Sequence, residues 1–100
     1  MPNQLTEKYN IVLSPELRKF IRDHSALFWS IPEDKKEEIS EAVLVEYILN
    51  YGTLSDCKEL IRLMGIKHIA EVFQKVEGRQ KMNYFPEIYN FFSLYFAHYA

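Results

Sequence analysis

Hydrophobic residues recur along this chain at the spacing of helices rather than of strands. Leu17, Phe20, Ile21 and His24 follow the i, i+3, i+4, i+7 pattern of one helical face. Ser14-Pro15 precedes them, and serine as a cap followed by proline in the first turn is a typical helix start. No convincing alternation of apolar and polar residues appears after residue 13. The pattern therefore predicts helices and no strands beyond that point.

A longer helix is predicted from Glu33 to Tyr51. Acidic residues crowd its beginning, where they suit the positive end of the helix dipole. Apolar residues then surround most of its later turns, which is typical of a central helix. Gly52 follows, and we expect it to end the helix in a left-handed conformation, which glycine adopts at low cost.

Two shorter helices are predicted next, on either side of Gly65. The first has Ser55 as a candidate cap and an apolar stripe from Cys57 to Met64. The second repeats the stripe from Ile66 to Val76 and ends near Gly78.

Aromatic residues dominate the last predicted helix, for which Asn83 is the candidate cap. One stripe comprises Phe85, Ile88, Phe92, Phe96 and Tyr99. A second stripe comprises Tyr84, Phe91 and Tyr95. One stripe fills the domain's own core, whereas the second is either enclosed by the N-terminal residues or available to a partner. We therefore take the second stripe as the candidate partner interface, which self-association would also satisfy.

These elements predict an all-α fold, an irregular array or bundle of about five helices with an aromatic-rich C-terminal helix. Residues 1–13 form an irregular lead-in and residues 14–100 a single helical domain. We expect Trp29 to anchor the core between the first two long helices.

Composition places the chain among ordinary globular proteins, with 48% hydrophobic and 26% charged residues. The net charge of −2 gives no general attraction to nucleic acid or to anionic membranes. Cys57 is the single cysteine, which fits a reducing compartment. The first residues lack the basic and apolar segments of a signal peptide, and no stretch is long and apolar enough to cross a membrane. We therefore expect a cytoplasmic protein.

Residues for catalysis or metal binding do not come together in any recognised pattern. The three histidines have no partners at metal-ligand spacing, and His24 is better explained as a half-buried, hydrogen-bonded residue. Cys57 lies on an apolar stripe, where a buried thiol behaves as a small hydrophobe. Motifs for phosphate, dinucleotide or acyl-transfer chemistry are missing. We expect no enzyme, no catalytic residues, no metal and no cofactor.

Nucleic-acid binding is the alternative, because helix, glycine turn and helix follow one another between Asp56 and Val76. The basic residues that could contact a nucleic acid are Lys67, Lys75, Arg79 and Lys81. Ile61 and Glu71 do not suit a helix-turn-helix motif, since the crossing prefers a small residue at the first position and an apolar residue at the second. Two antiparallel helices with solvated lysines explain the segment better.

Several short elements resemble a small uncharacterised bacterial family. These are Leu27-Phe28-Trp29, Leu49-Asn50-Tyr51-Gly52, the Asp56-x-Lys58-x-Leu60 helix, Gly65 and the aromatic C-terminal helix. The resemblance covers residues 26–96, and Ser30 stands where the aromatic box more typically continues with an acidic residue. Members of this family are often encoded beside nucleotidyltransferase-type toxins. The resemblance implies an antitoxin-like partner of such a toxin and supplies no catalytic residues.

The sequence as a whole favours a non-catalytic protein–protein interaction module. A small helix-turn-helix-like DNA-binding regulator, reading DNA with residues 66–76, is the alternative.

Overall fold

The structure is a computed structural model that describes residues 13–75 and 82–100. Within these residues the backbone forms five α-helices and two short 3₁₀ helices, with no strand. The α-helices are α1 (Pro15–Asp23), α2 (Glu41–Tyr51), α3 (Leu54–Met64), α4 (Ile66–Gln74) and α5 (Pro86–Tyr99). The prediction of an all-α fold with about five helices is confirmed.

Contacts between residues divide the chain into two units, Met1–Ser40 and Glu41–Ala100. The division falls inside the segment for which the sequence predicts one continuous helix, and that prediction is wrong. Glu33–Glu38 form a 3₁₀ helix, Ile39 is extended with φ −74° and ψ 159°, and α2 begins only at Glu41.

The charged side chains of this 3₁₀ helix contact one another and the preceding 3₁₀ helix. Residues three apart lie one above the other in a 3₁₀ helix, and Lys36 Nζ lies 3.0 Å from Glu33 Oε1. Lys36 is buried, and it also donates a hydrogen bond of 2.8 Å to the carbonyl oxygen of Ser25. This second contact joins residues eleven positions apart, so the helical pattern of the segment gives no sign of it.

The start of α1 agrees with the prediction. Ser14 Oγ accepts a hydrogen bond of 3.2 Å from the Leu17 amide, and Pro15 occupies the first turn. Leu17, Phe20 and Ile21 are buried. His24 Nδ1 lies 2.8 Å from the Phe20 carbonyl oxygen, and its ring stacks on the Phe20 ring at 4.1 Å. The interpretation of this histidine as a half-buried, hydrogen-bonded residue is confirmed.

Trp29 is not the core anchor that the sequence suggests, because 67% of it is exposed. Its neighbour Phe28 is fully buried and takes the interior position instead. Ser25–Phe28 form the other 3₁₀ helix, in which successive side chains point about 120° apart. Trp29 follows this helix as its C-terminal cap residue, where its side chain is exposed while that of Phe28 faces the interior.

The second unit contains α2 to α5. Helix α2 packs against α3 and α4, α3 packs against α4, and α4 packs against α5. Its buried hydrophobic residues are Leu44, Val45, Ile48, Leu49, Cys57, Leu60, Ile69, Ala70, Phe73, Tyr84, Phe92 and Phe96. Every one of its helices contributes to this set, which is the usual arrangement for amphipathic helices sharing a core.

The two glycines at helix ends have different roles. Gly52 ends α2 without a positive φ, so the predicted left-handed conformation is wrong at this position. A Cβ atom there would lie 2.7 Å from the Ile48 carbonyl oxygen and 3.0 Å from Asp56 Cβ, so the requirement for glycine is steric. Gly65, between α3 and α4, has φ 86°, a conformation that favours glycine.

Helix α3 is capped by Thr53 rather than by Ser55. Thr53 Oγ1 accepts a hydrogen bond of 3.1 Å from the Asp56 amide, and Asp56 Oδ2 accepts one of 2.9 Å from the Thr53 amide. This reciprocal pair satisfies two backbone donors at once, which a serine two residues later could not do.

Candidate functional site

Helix α5 carries aromatic side chains on two opposite sides, and its inner side is part of the core. Phe92 and Phe96 are buried, and their ring centroids lie 5.6 Å apart. Phe73, from α4, lies at the centre of this cluster, with its ring 5.3 Å from Phe96 and stacked on Tyr89 at 5.0 Å. These contacts fix the rotation of α5 about its own axis.

Tyr84 belongs to the same buried cluster, so its prediction as a partner interface residue is wrong. Only 4% of the residue is exposed, and its ring meets the rings of Phe73 and Tyr89 at 5.3 and 5.8 Å. The helix begins at Pro86, so Tyr84 lies before it. The helical spacing that would put residue 84 on the same side as Phe91 therefore does not apply.

The hydroxyl group of Tyr84 is buried and has no hydrogen-bond partner within residues 13–75 and 82–100. Burial raises the pKa of Tyr84 far above its ordinary value, and the nearby Glu46 carboxylate raises it further. Burial also raises the pKa of Glu46. The Asn83 amide donates a hydrogen bond of 3.4 Å to the Glu46 carboxylate, and this bond counteracts the effect of burial. The phenol is therefore a neutral group in an apolar cluster and not a surface contact.

The outer side of α5 is exposed and largely apolar. Phe91 is 51% exposed and Leu94 is 67% exposed, while Tyr95 is partly exposed. Glu87 and His98 are exposed at the two ends of the same helical stripe. We call these five residues, Glu87, Phe91, Leu94, Tyr95 and His98, the α5 outer face. The structure thus places two of the three predicted interface residues, Phe91 and Tyr95, together on an accessible surface.

Ring contacts order the aromatic part of this face. Phe91 and Tyr95 stack with centroids 6.1 Å apart, and Tyr95 meets Tyr99 at 4.8 Å. Phe91 also meets the buried Phe92 edge to face at 5.0 Å. Side chains already held in place lose less conformational entropy when a partner covers them. The outer face is therefore partly preorganised for binding.

Leu94 is a member of this face that the aromatic pattern of the sequence does not single out. It lies three residues after Phe91 and four before His98, so the spacing of an exposed stripe is visible in the sequence. Because it is aliphatic, it belongs to neither predicted aromatic stripe. It is nevertheless among the most exposed large hydrophobic residues of the described chain.

Polar contacts tie the beginning of α5 to α2. Asn50 Nδ2 donates a hydrogen bond of 3.0 Å to the carbonyl oxygen of Asn83, and Asn50 Oδ1 accepts one of 3.1 Å from the Phe85 amide. Asn83 is therefore not the cap that the sequence predicts. Phe85 occupies the cap position and makes no side-chain cap hydrogen bond, while Pro86 sets the first turn.

The basic candidates are only partly described by the structure. Lys67 and Lys75 are exposed, whereas Arg79 and Lys81 lie outside the described residues. Glu71 is exposed one turn from Lys67 on α4, so the surface carries both signs of charge. A single residue, Gly65, joins α3 to α4. A helix-turn-helix motif has a turn of about three to four residues, so this joint differs from the motif.

Cys57 is a buried thiol, as the sequence predicts. Its Sγ donates a hydrogen bond of 3.5 Å to the carbonyl oxygen of Ile48. Burial, helped by the charge of Asp56, raises the pKa of the Cys57 thiol to about 11. Because the thiolate is the nucleophilic form, this side chain is unreactive near neutral pH.

Metal sites and membrane spans are both lacking within residues 13–75 and 82–100. No three His, Cys, Asp or Glu side chains there come close enough together to hold a metal ion. None of the helices in those residues has both the length and the apolar character needed to span a membrane.

Comparisons with known proteins do not assign the chain to a family. No family model matches it, and neither the curated proteins nor the solved structures contain a match.

Proposed function

We propose that this protein is a non-catalytic interaction protein that binds another protein chain through the α5 outer face. The observation that carries the proposal is the exposure of Phe91 and Leu94, side by side on a helix whose opposite side is already buried in the core. Aromatic side chains in an apolar centre with polar groups around it are typical of protein interfaces.

The cavities of the second unit support a binding role over a catalytic one. One cavity, at the beginning of α5, is lined by Met82, Tyr84, Pro86, Glu87, Tyr89 and Asn90. Glu87 is the single carboxylate among them, so no acid–base pair of carboxylates is present. A second cavity lies between α4 and the end of α5 and includes Lys67 and Glu71, both of which are exposed to water.

The family resemblance supplies a candidate for the partner, a nucleotidyltransferase-type toxin encoded by a neighbouring gene. The chain would then act as an antitoxin-like protein in the cytoplasm, a reducing compartment that suits its single cysteine. The DNA-binding alternative has less support, because the one-residue joint at Gly65 and the exposed Glu71 on α4 both differ from what a reading helix requires.

Co-expression with the toxin from the neighbouring gene tests the proposal. Leu94→Asp should abolish copurification, whereas Leu54→Asp should leave it intact. Leu54 is a matched control because it is 61% exposed and lies on α3, away from the outer face. The proposal fails if Leu94→Asp alters neither the binding of this toxin nor the association of the chain with itself.

A further inference from the structure

We propose that the α5 outer face binds a second copy of this chain, with the two α5 helices antiparallel and related by a two-fold axis. This inference rests on the proposed function, because it uses the same face, and it names a second copy of the chain rather than the toxin as the occupant of that face. Its basis is the spacing of chemical groups along the face, which is the same in both directions, with an acidic residue at one end and a basic residue at the other.

The order is acid, apolar, apolar, base. Glu87, Phe91, Leu94 and His98 follow one another at intervals of four, three and four residues, so the spacing is unchanged when the stripe is read backwards. A two-fold axis midway between Phe91 and Leu94 would place each Glu87 opposite His98 of the second copy. The same axis would place each Phe91 opposite Leu94 of the second copy. An isologous interface requires this kind of self-complementarity.

Charge favours the antiparallel over the parallel arrangement. Glu87 is the only acidic residue on α5 and His98 is its only basic one, and both are exposed. An imidazole N–H donates to a carboxylate whether or not the ring is charged. A parallel pair would instead bring the two Glu87 carboxylates together at one end, where like charges repel.

The dimensions of α5 also suit a pair of helices. Its 14 residues give a length of about 21 Å at about 1.5 Å per residue. Packed helices lie roughly 8–10 Å apart, which is within reach of phenylalanine and leucine side chains. The centre of the face is apolar and its ends are polar, as in the core and rim of stable interfaces.

The isolated leucine on α3 lacks these features and therefore provides the contrast. Leu54 is flanked by Thr53 and Ser55 and has Lys58 one turn later. Its exposure is similar to that of Leu94, but no exposed apolar residue follows it within one turn of α3.

Sedimentation equilibrium of the full chain is the first test. The chain should dimerise reversibly, Leu94→Asp should make it monomeric at every concentration measured, and Leu54→Asp should dimerise like the unchanged chain. A chain that is monomeric even at millimolar concentration overturns the inference. The proposed function would then be judged separately, by whether Leu94→Asp abolishes toxin binding.

Charge reversal is the second test, and it addresses the register of the two helices. Glu87→Lys alone and His98→Glu alone should each weaken the dimer by roughly tenfold, because each change removes two symmetric attractive pairs. The double variant should restore the original dissociation constant, because the pairs are re-formed with their signs exchanged. Glu71→Lys on α4 makes the same change in net charge as Glu87→Lys and should leave dimerisation unchanged.

The outcomes of the charge-reversal test distinguish the antiparallel register from the use of the outer face as a binding surface. Recovery in the double variant supports the antiparallel register. A double variant weaker than either single one overturns this register, while the loss of association in Leu94→Asp would still support the outer face as a binding surface. Unfolding by urea, followed for each variant at a concentration where it is monomeric, ensures that a weakened dimer does not reflect an unfolded helix.

Discussion

The two sides of α5 have similar hydrophobic residues in opposite environments. Phe92 and Phe96 on the inner side are 4% and 2% exposed, while Phe91 and Leu94 on the outer side are 51% and 67% exposed. Phe91 and Phe92 are neighbours in the sequence and their rings are in contact. The difference shows that hydrophobicity alone does not locate the core of this protein.

Contacts from other helices create the difference. The inner side meets Phe73 of α4, and the Asn50 side chain of α2 holds the residues that precede α5. Burial of a large apolar side chain contributes about 1.5–3 kcal/mol, so the inner residues stabilise the fold. The outer residues still expose much of their surface and can contribute that energy to binding. Four substitutions with progressively smaller effects on stability probe this division.

Phe96→Ala should have the largest effect on stability. Phe96 is buried against Phe73 and Phe92, and removing a buried phenylalanine ring leaves a cavity that costs about 3–5 kcal/mol. Urea denaturation followed by circular dichroism measures the loss in the free energy of unfolding. A loss as small as that of an exposed residue would mean that the inner side of α5 is not part of the core.

Asn50→Ala should have the next largest effect, since it removes two hydrogen bonds that orient the start of α5. Both the Asn83 carbonyl oxygen and the Phe85 amide lose a partner. We expect a loss of about 1–3 kcal/mol in the free energy of unfolding, at about 0.5–1.5 kcal/mol for each bond. Asn90→Ala, at an exposed position on α5, is the control and should change stability little.

Tyr84→Phe should stabilise the protein, by about 1 kcal/mol. The substitution removes a buried hydroxyl group that has no hydrogen-bond partner in the described residues, together with the cost of keeping it out of water. The midpoint of urea unfolding should rise. Tyr95→Phe, on the outer face, should leave the midpoint unchanged, and a fall in the midpoint for Tyr84→Phe would show that the hydroxyl group forms a stabilising contact.

Phe91→Ala should change the stability of the monomer least, by about 0.5 kcal/mol, because the ring is half exposed. Its effect should appear in association instead, where the same substitution removes the centre of the outer face. Unfolding must be measured at a concentration where the chain is monomeric, since dimerisation adds to apparent stability. A loss equal to that of Phe96→Ala would contradict the distinction between the two sides.

Local signals in the sequence predict where the helices lie better than how they are capped, since Thr53 and Phe85 hold the cap positions expected for Ser55 and Asn83. Ser14 and Pro15 begin α1 as expected, and Cys57 lies on the buried stripe of α3. The same signals fail between residues 33 and 40, where Lys36 reaches the Ser25 carbonyl oxygen and a 3₁₀ helix replaces the start of an α-helix. A contact across eleven residues leaves no mark on helical periodicity.

The candidate site is predictable only in part, because helical spacing applies within α5 and not before it. Phe91 and Tyr95 lie within α5, where helical spacing holds, and they are on the outer face as the stripe indicates. Tyr84 precedes Pro86 and is turned into the core. Trp29 and Phe28 cannot be told apart from their types, because both are large aromatic residues and only tertiary packing decides which of them is buried.

The order of residues is enough to specify that this protein is built from helices, because apolar spacing, caps and glycines act over a few residues. It is also enough to give the last helix two apolar sides, since both stripes can be read directly along the chain. Which of those sides is buried follows instead from tertiary contacts. That choice depends on the rotation of α5 about its axis, which is set by Phe73 and Asn50, two residues distant in the sequence whose contacts no local pattern encodes.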